Sequence, residues 1–395
     1  MKSNFLMVSV QAPIFIDKIF VKVYYEIYLD YLLTSMKRIV HYFNNLKIFL
    51  IGMVVAVHAA LAYQLGGKGW PVADPVNTNG FLPFLTWQAT YFMGLFFLIS
   101  GYFLPDSCKK GNAWPIFTKK LIRLGIPTLL TVFVLLPPTL YLTLPLIGRQ
   151  DEIPSFWSFY ADGFLSKAYF TFGHTWFIVQ LLLYSTIYIF LRPALERFFK
   201  TKLKITHTTI LFYTLFLFGT TWIVNLSYPQ DAWRLYHLFE PYHLPQYISL
   251  FFLGIFAKKN QLLDALENRV GYVWLAIGIL GVLYMSMHQC TGMLYDSPTF
   301  NALWSSFMCS AWCVGLLTLF RGHVNGCSPL QEWLARNTYG VYLLHVSVIV
   351  FLHYILFPYA WNAWVKFSIV FVIGYVLSNG ICGLLRMTPY LRKII

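Results

Sequence analysis

The chain has 395 residues, of which 58% are hydrophobic and only 11% are charged. Because soluble domains are about one quarter charged, this composition excludes a water-soluble globular protein of ordinary type. The formal net charge is +14. Such an excess indicates either an anionic partner, such as nucleic acid, or charges that are sorted across a membrane.

Charge-free stretches indicate the fold class. Ten windows of at least 17 residues contain no Asp, Glu, Lys or Arg, and each is about long enough for a helix to cross a bilayer core of about 30 Å. The sequence therefore predicts an all-α, polytopic transmembrane helical bundle of about ten spans. The windows are 48–67, 75–105, 124–148, 168–191, 205–230, 241–257, 270–295, 297–320, 337–365 and 367–385.

The remaining charges predict the orientation. When the connecting segments are assigned alternately to two sides, 24 basic residues fall on the side of both termini and 5 on the other. Acidic residues divide almost evenly, 8 and 7. Basic loops stay in the cytoplasm, so we expect a multi-pass protein of the plasma (inner) membrane with both termini inside. This sorting explains nearly all of the positive charge, and we expect no nucleic-acid partner.

The N-terminal region differs from the rest, and we divide the chain into a segment 1–43 and a membrane domain 44–395. The apolar stretch 3–16 is too short to span and lacks the cleavage pattern of a signal peptide. It could lie along the inner membrane surface as an amphipathic segment. Alternatively, translation starts at Met36, because Met36-Lys37-Arg38 is a basic start just before the first span.

Histidines are the polar residues that stand out within the windows, and polar groups are costly in lipid. His58 lies 11 residues after Lys47, which is about 16 Å along a helix. It needs a partner from another helix or a water-filled cavity, and it is either a hydrogen-bonded packing residue or a general base. His174 begins the next candidate motif, His174-Thr175-Trp176-Phe177, which lies at the outer end of the fourth predicted span. His345 lies about 14 Å in from Arg336 and could face a cavity or a neighbouring helix.

Other histidines and the cysteines carry less information. We interpret His237, His243 and His288 as solvated residues of the outer surface, and His353 as lying near the face of His345. Cys309 and Cys313 share a helix face, but without a second pair they are interpreted as packing residues. We therefore predict no metal site.

Three cations precede the third window, namely Lys119, Lys120 and Arg123. They could simply anchor the helix to anionic lipid headgroups. They could also hold the phosphates of a nucleotide-type donor, for which arginine is well suited. This second interpretation gains weight beside His58.

Several catalytic classes lack their motifs. The sequence has no Walker-type phosphate loop, no His-Glu-x-x-His helix and no Gly-x-Ser-x-Gly elbow. No carboxylate lies within a window, which argues against a pump that relies on membrane carboxylates.

The chain resembles the acyltransferase 3 family of integral membrane acyltransferases, including its glucan-biosynthesis protein C group. The resemblance runs from about Asn45 to the last span, and it depends on the order of several short motifs together with the span count. These motifs are Asn45-Leu46-Lys47-Ile48-Phe49-Leu50 before His58, Phe96-Phe97-Leu98-Ile99-Ser100-Gly101-Tyr102-Phe103, Lys120-Leu121-Ile122-Arg123-Leu124-Gly125-Ile126-Pro127, His174-Thr175-Trp176-Phe177, Leu244-Pro245-Gln246-Tyr247-Ile248 and Tyr339-Gly340-Val341-Tyr342-Leu343-Leu344-His345.

The resemblance implies transfer of an acyl group from cytoplasmic acyl-CoA to hydroxyls, commonly of saccharides, outside the membrane. The family's essential histidine corresponds to His58. Its arginine before that histidine corresponds to Lys47, and its arginine pair before the third span corresponds to Lys120 and Arg123. Lysine keeps the charge but loses the planar guanidinium.

On this basis we assign catalysis to His58 and His174. Acyl-CoA is the co-substrate, and no permanently bound cofactor is expected. His58 either takes the proton of the acceptor hydroxyl or forms an acyl-histidine intermediate. The donor could carry acetyl, succinyl or another short acyl group, and acetyl is favoured because no window contains a Lys or Arg for the carboxylate of a succinyl group. Donor binding is assigned to Lys47, Lys119, Lys120, Arg123 and Ser100, and substrate binding to Trp176, Tyr342 and His345.

A second functional class stays open at this point. The protein could be a transporter or flippase that moves a polar or lipid-linked substrate without chemistry, with His58 lining the pathway. Transporters often show paired broken helices in inverted halves, and no such pair is visible in the sequence. The sequence identifies neither the acceptor nor the oligomeric state, although a homo-oligomer is possible.

Overall fold

The computed structural model describes residues 41–66, 69–108, 112–147, 155–199, 203–288 and 297–394. Expectations for the first 40 residues, including the start at Met36, lie outside the described residues. The described chain is helical, and its helices match the charge-free windows in order. They are α1 (His41–Leu61), α2 (Leu82–Ala89), α3 (Phe92–Ser107), α4 (Ala113–Lys120), α5 (Ile126–Leu130), α6 (Leu136–Tyr141), α7 (Phe156–Ser158), α8 (Trp176–Phe198), α9 (His207–Asn225), α10 (Leu244–Lys259), α11 (Leu262–Ala265), α12 (Asn268–His288), α13 (Pro298–His323), α14 (Pro329–Leu356) and α15 (Ala363–Leu385).

Nine helical segments in the described part of the chain are long and apolar enough to cross a membrane. The prediction of a polytopic helical bundle is therefore confirmed. The window without such a segment is 241–257, which corresponds to α10, a helix of 16 residues. A helix of that length rises about 24 Å, and the 3-10 turn Pro241–His243 precedes it directly.

Close backbone contact between α3 and α10 explains how the short helix is held. A Cβ atom on Gly101 would lie 2.0 Å from the Phe251 carbonyl oxygen, and one on Gly254 would lie 2.1 Å from the Leu98 carbonyl oxygen. Only glycine permits these approaches, and small residues at helix contacts are typical of membrane bundles.

The third spanning segment, Ala113–Tyr141, is a single rod interrupted by two π-helical turns. These turns cover Leu121–Gly125 and Thr131–Leu135, and a proline follows each of them, at Pro127 and Pro137. Proline lacks an N–H and clashes with the carbonyl four residues earlier, so a locally widened helix accommodates it. The first π turn contains Arg123 of the predicted basic cluster.

The helices extend beyond the charge-free windows, so the expectation that spans hold no ionised residue is wrong in one important place. Lys366 lies in the first turn of α15 and is fully buried. His243 also differs from its prediction as a solvated residue, because it is buried beside Glu240, with 3.7 Å between Nε2 and Oε2. Burial raises the pKa of the Glu240 carboxyl, and the neighbouring His243 opposes part of that rise.

Candidate functional site

His58 lies in the last turn of α1 and is half-buried. Its Nδ1 atom lies 2.9 Å from the Val54 carbonyl oxygen of its own helix. The same Nδ1 lies 3.2 Å from Nε2 of His345, which belongs to α14. The partner that an intramembrane histidine needs is therefore a second histidine.

The surroundings of His345 determine the tautomers of both rings. Its Nδ1 faces two carbonyl oxygens, those of Tyr342 at 2.7 Å and Val341 at 3.1 Å, so this nitrogen must carry the proton. A neutral His345 then has a bare Nε2, which can only accept. Because His58 Nδ1 faces that acceptor and the Val54 carbonyl, it carries the proton of its own ring.

This assignment leaves the lone pair of His58 on Nε2. No described residue forms a hydrogen bond with that atom. His58 is the more accessible member of the pair, because it is half-buried whereas His345 is fully buried. A bare imidazole nitrogen held by a hydrogen bond on its opposite side is the arrangement that a general base or a nucleophile requires.

His174 joins the same cluster from the turn that precedes α8. Its ring centroid lies 5.0 Å from that of His345, and its Nε2 donates to the Leu343 carbonyl oxygen over 3.2 Å. Tyr342 donates its hydroxyl proton to the His174 carbonyl oxygen. The Nδ1 atom of His174 is buried and has no hydrogen-bond partner in the described chain. The predicted site residues His174, Tyr342 and His345 thus form one cluster, and His345 joins it to His58.

Two residues that the sequence did not single out for the site complete this cluster. The indole ring of Trp70 lies over His58, with 5.1 Å between ring centroids. Its Nε1–H donates to Nδ1 of His353 over 3.3 Å, and His353 Nε2 donates to the Ala59 carbonyl oxygen over 3.1 Å. The only sequence signal was the position of His353, eight residues after His345.

A buried ion pair lies at the same end of the bundle. Lys366 Nζ contacts both carboxylate oxygens of Asp74, at 2.7 and 3.0 Å, and both side chains are almost fully buried. In the sequence, Lys366 appears as the single charge between two apolar windows, whereas its partner lies 292 residues away. Each residue alone is typical of an outer loop, so the pair could not be predicted from the sequence.

Among the described residues, no histidine ring packs against that of Trp176. Trp176 stacks on Tyr247, with 5.4 Å between ring centroids and 23° between planes, and meets Trp233 edge-on. Its neighbour Phe177 packs on Tyr342 instead. The structure therefore places Trp176 in an adjacent aromatic group rather than against His58.

The predicted donor-binding cations gather at the opposite end of the bundle. Lys47 lies over the Phe103 ring at 4.9 Å, and Arg123 is close enough for its charge to act on Lys47. Lys120 is half-buried near Cys108, while Lys119 and Arg123 are exposed. Ser100 lies on α3 and is half-buried.

A cavity of about 660 Å³ opens at this basic end between α3, α8 and α10. In the sequence, the cations that line it are part of the positive-inside pattern and are not distinguished as a binding site. Lys258 pairs with Asp106 at 2.9 Å and lies over the Tyr102 ring, and Arg192 donates to the Cys108 carbonyl oxygen. The lining residues are Tyr102, Pro105, Asp106, Cys108, Tyr188, Arg192, Lys258, Lys259, Gln261 and Asp264.

The comparison with protein families decides the class. The model described as an acyltransferase domain matches residues 40–387. The chain belongs to the acyltransferase 3 family. It is therefore a membrane acyltransferase with several membrane-spanning helices. No curated protein and no solved structure matches it significantly. Within the described residues, no group of three or more potential ligands could hold a metal ion.

Proposed function

We propose that this acyltransferase moves an acetyl group from cytoplasmic acetyl-CoA to a hydroxyl of an extracytoplasmic saccharide, with His58 as the base. The observation that carries the proposal is the bare Nε2 of His58, held in place by the Nδ1 contact with His345. The distribution of positive charge favours an orientation in which the basic end faces the cytoplasm, the histidine end faces outward and both termini are inside.

In the proposed reaction, the oxygen of the acceptor hydroxyl attacks the thioester carbonyl carbon while His58 Nε2 accepts the proton of that hydroxyl. The tetrahedral intermediate collapses as the C–S bond breaks, and the departing CoA sulfur takes the proton back from His58. While His58 is protonated, its Nδ1–H bond to the bare Nε2 of His345 spreads the positive charge. His345 in turn donates to the Tyr342 carbonyl.

An acyl-histidine route uses the same nitrogen. In that route Nε2 attacks the thioester, CoA leaves, and the acceptor oxygen then attacks the acyl-imidazole. Rapid mixing with acetyl-CoA in the absence of acceptor distinguishes the routes, because only the second gives a burst of CoA equal to the enzyme concentration.

The donor is proposed to bind with its nucleotide in the cavity at the basic end. Arg192 and Lys259 offer cations to its phosphates beside Lys258, which is paired with Asp106, and Tyr102 and Tyr188 offer aromatic faces to the adenine. Lys120 lies near Cys108, which is one of the residues that line the cavity. Lys47 lies on α1, about 16 Å before His58 along the helix. The pantetheine arm of the donor would extend along the distance between Lys47 and His58.

The charges at the histidine end favour an acetyl group over a succinyl group. A cation does lie at the histidine end, but Lys366 is already neutralised by Asp74 and fully buried. No described residue there offers a second, unpaired cation to a succinyl carboxylate. A small uncharged acetyl group therefore fits these surroundings better than a succinyl group, which carries a carboxylate.

Removing cations from the cavity is expected to weaken donor binding. In Arg192→Gln and Lys259→Gln, the KM for acetyl-CoA should rise by about 10- to 150-fold with little change in kcat, because each lost charge-assisted contact is worth about 1.5–3 kcal/mol. Steady-state assays by CoA-thiol release would measure this.

Two controls sharpen that experiment. S-acetylpantetheine lacks the nucleotide phosphates, so its KM should be the same in the variants and the wild type. Lys204→Gln, an exposed residue between α8 and α9, should change neither KM. An equal rise in KM for both donors would contradict a phosphate site in this cavity.

Changing His345 should slow the reaction without abolishing donor binding. A hydrogen bond to a charged imidazolium is worth about 1.5–3 kcal/mol, so His345→Phe should lower kcat by about 10- to 150-fold. His345→Gln keeps a side-chain acceptor and should retain more activity than His345→Phe. Equal kcat in both variants would show that His345 only fills space.

A further inference from the structure

The segment that follows α1 turns back over the histidine end. Residues 62–66 and 69–78 are joined by backbone hydrogen bonds, from Asp74 N to the Ala62 oxygen at 2.9 Å and from Thr78 N to the Tyr63 oxygen at 2.9 Å. Val72 is buried against Val346 and Val350 of α14. The described part of this segment is therefore packed onto the helices that carry His58 and His345.

Trp70 of this segment has a fixed orientation. Its indole lies 5.1 Å from the His58 ring, with 39° between the planes, and it meets His353 edge-on at 6.0 Å. The hydrogen bond from Trp70 Nε1 to His353 Nδ1 fixes one edge of the indole. The Asp74–Lys366 ion pair holds the segment four residues further along. Trp70 itself is half-buried, so part of the indole remains exposed beside His58.

A base that activates a hydroxyl also activates water. In that side reaction the water oxygen attacks the thioester carbonyl carbon, the C–S bond breaks, and acetate and CoA thiol are released without an acceptor. Water is in large excess, so a site that transfers to a sugar must keep it from the base. The Trp70 indole lies 5.1 Å from the His58 ring, so its bulk takes up space on that side of the imidazole that water could otherwise fill.

We propose that Trp70 is the specificity-determining residue that makes His58 act on the acceptor hydroxyl instead of water. This inference rests on the proposed function. The indole covers His58, and its flat face packs against the apolar face of a sugar ring whose hydroxyl reaches Nε2. Trp70 acts by positioning the acceptor and excluding water, with its own orientation set by His353 and by the Asp74–Lys366 pair.

The test is the partition between hydrolysis and transfer. Membrane vesicles that contain the full-length protein and their own acceptors are supplied with acetyl-CoA labelled in the acetyl group. Released CoA thiol measures total turnover, and label retained in the vesicles measures transfer. In Trp70→Ala, the ratio of hydrolysis to transfer is expected to rise by about three- to tenfold, the range of one lost aromatic contact. Trp361→Ala, which removes an exposed aromatic residue between α14 and α15, should leave the ratio unchanged.

A ratio equal to that of the wild type in an active Trp70→Ala protein would overturn the inference, because a merely structural role lowers hydrolysis and transfer together. If Trp70→Ala does not accumulate in the membrane, Trp70→Leu carries the same expectation and the same contrary outcome, since leucine keeps an apolar side chain but lacks the flat face. His58→Ala should abolish both products. If His58→Ala retains both, the proposed function fails, which is a different result from an unchanged ratio.

Discussion

Replacing His58 by alanine is expected to lower kcat for acyl transfer by about 10²- to 10⁴-fold, the usual contribution of a positioned general base. The physical reason is the loss of Nε2, which is bare because Nδ1 donates toward Val54 and His345. If the acyl-histidine route operates instead, the loss is at least as large, because the nucleophile itself is removed. The measurement is CoA-thiol release and product formation by the purified protein with acetyl-CoA.

A matched histidine provides the control for this experiment. His207 is exposed at the beginning of α9, so His207→Ala should leave both the rate and the KM for the donor unchanged. His58→Ala should elute as the wild type does in size-exclusion chromatography and should bind donor with the same affinity. Full activity in His58→Ala would disprove the catalytic role, and transport without thioester cleavage would favour the transporter alternative.

Breaking the Asp74–Lys366 pair one residue at a time is expected to have the largest effect on stability. Asp74→Asn or Lys366→Met should each lower the free energy of unfolding by about 3–5 kcal/mol, because either change leaves a buried, unpaired charge. The pair is about as deeply buried as any in the described chain, with side-chain exposures of 1% and 0%. Unfolding in a denaturing detergent titration would measure the loss.

The double variant separates a paired-charge effect from a packing effect. Replacing both residues removes both charges, so Asp74→Asn with Lys366→Met should be more stable than either single variant. Glu332→Gln breaks a partly exposed pair with Arg336 and should cost less than about 1 kcal/mol. Additive losses in the double variant would contradict the electrostatic explanation.

Much of the architecture could be predicted because the signals for it are local. A charge-free stretch of sufficient length forms a helix in lipid regardless of its neighbours, since every backbone group must be satisfied within the segment. All ten windows contain helices for this reason. Helix ends were less predictable. Lys366, for example, lies inside α15, because Asp74 neutralises its charge and so allows it to be buried.

The candidate site was predictable only in part. A histidine in the middle of an apolar window carries a cost that demands a function or a partner, so His58 stood out from the sequence. Trp70 did not, because tryptophan is common near membrane surfaces and its position over His58 depends on a turn of the chain. The cations that line the cavity at the basic end did not stand out as a binding site, because the positive-inside pattern already accounts for basic residues on that side.

The class of fold and the sorting of charge follow from the sequence alone, and the sequence also points to His58 as a candidate catalytic residue. The tautomer of His58 depends on how the helices pack, because Nε2 of His345, which sets it, lies 287 residues away along the chain. The same holds for the pairing of Asp74 with Lys366 and of Trp70 with His353. Hydropathy acts within one helix, whereas hydrogen bonds and ion pairs in a bundle join residues from different helices, and their partners become known only when the helices are packed.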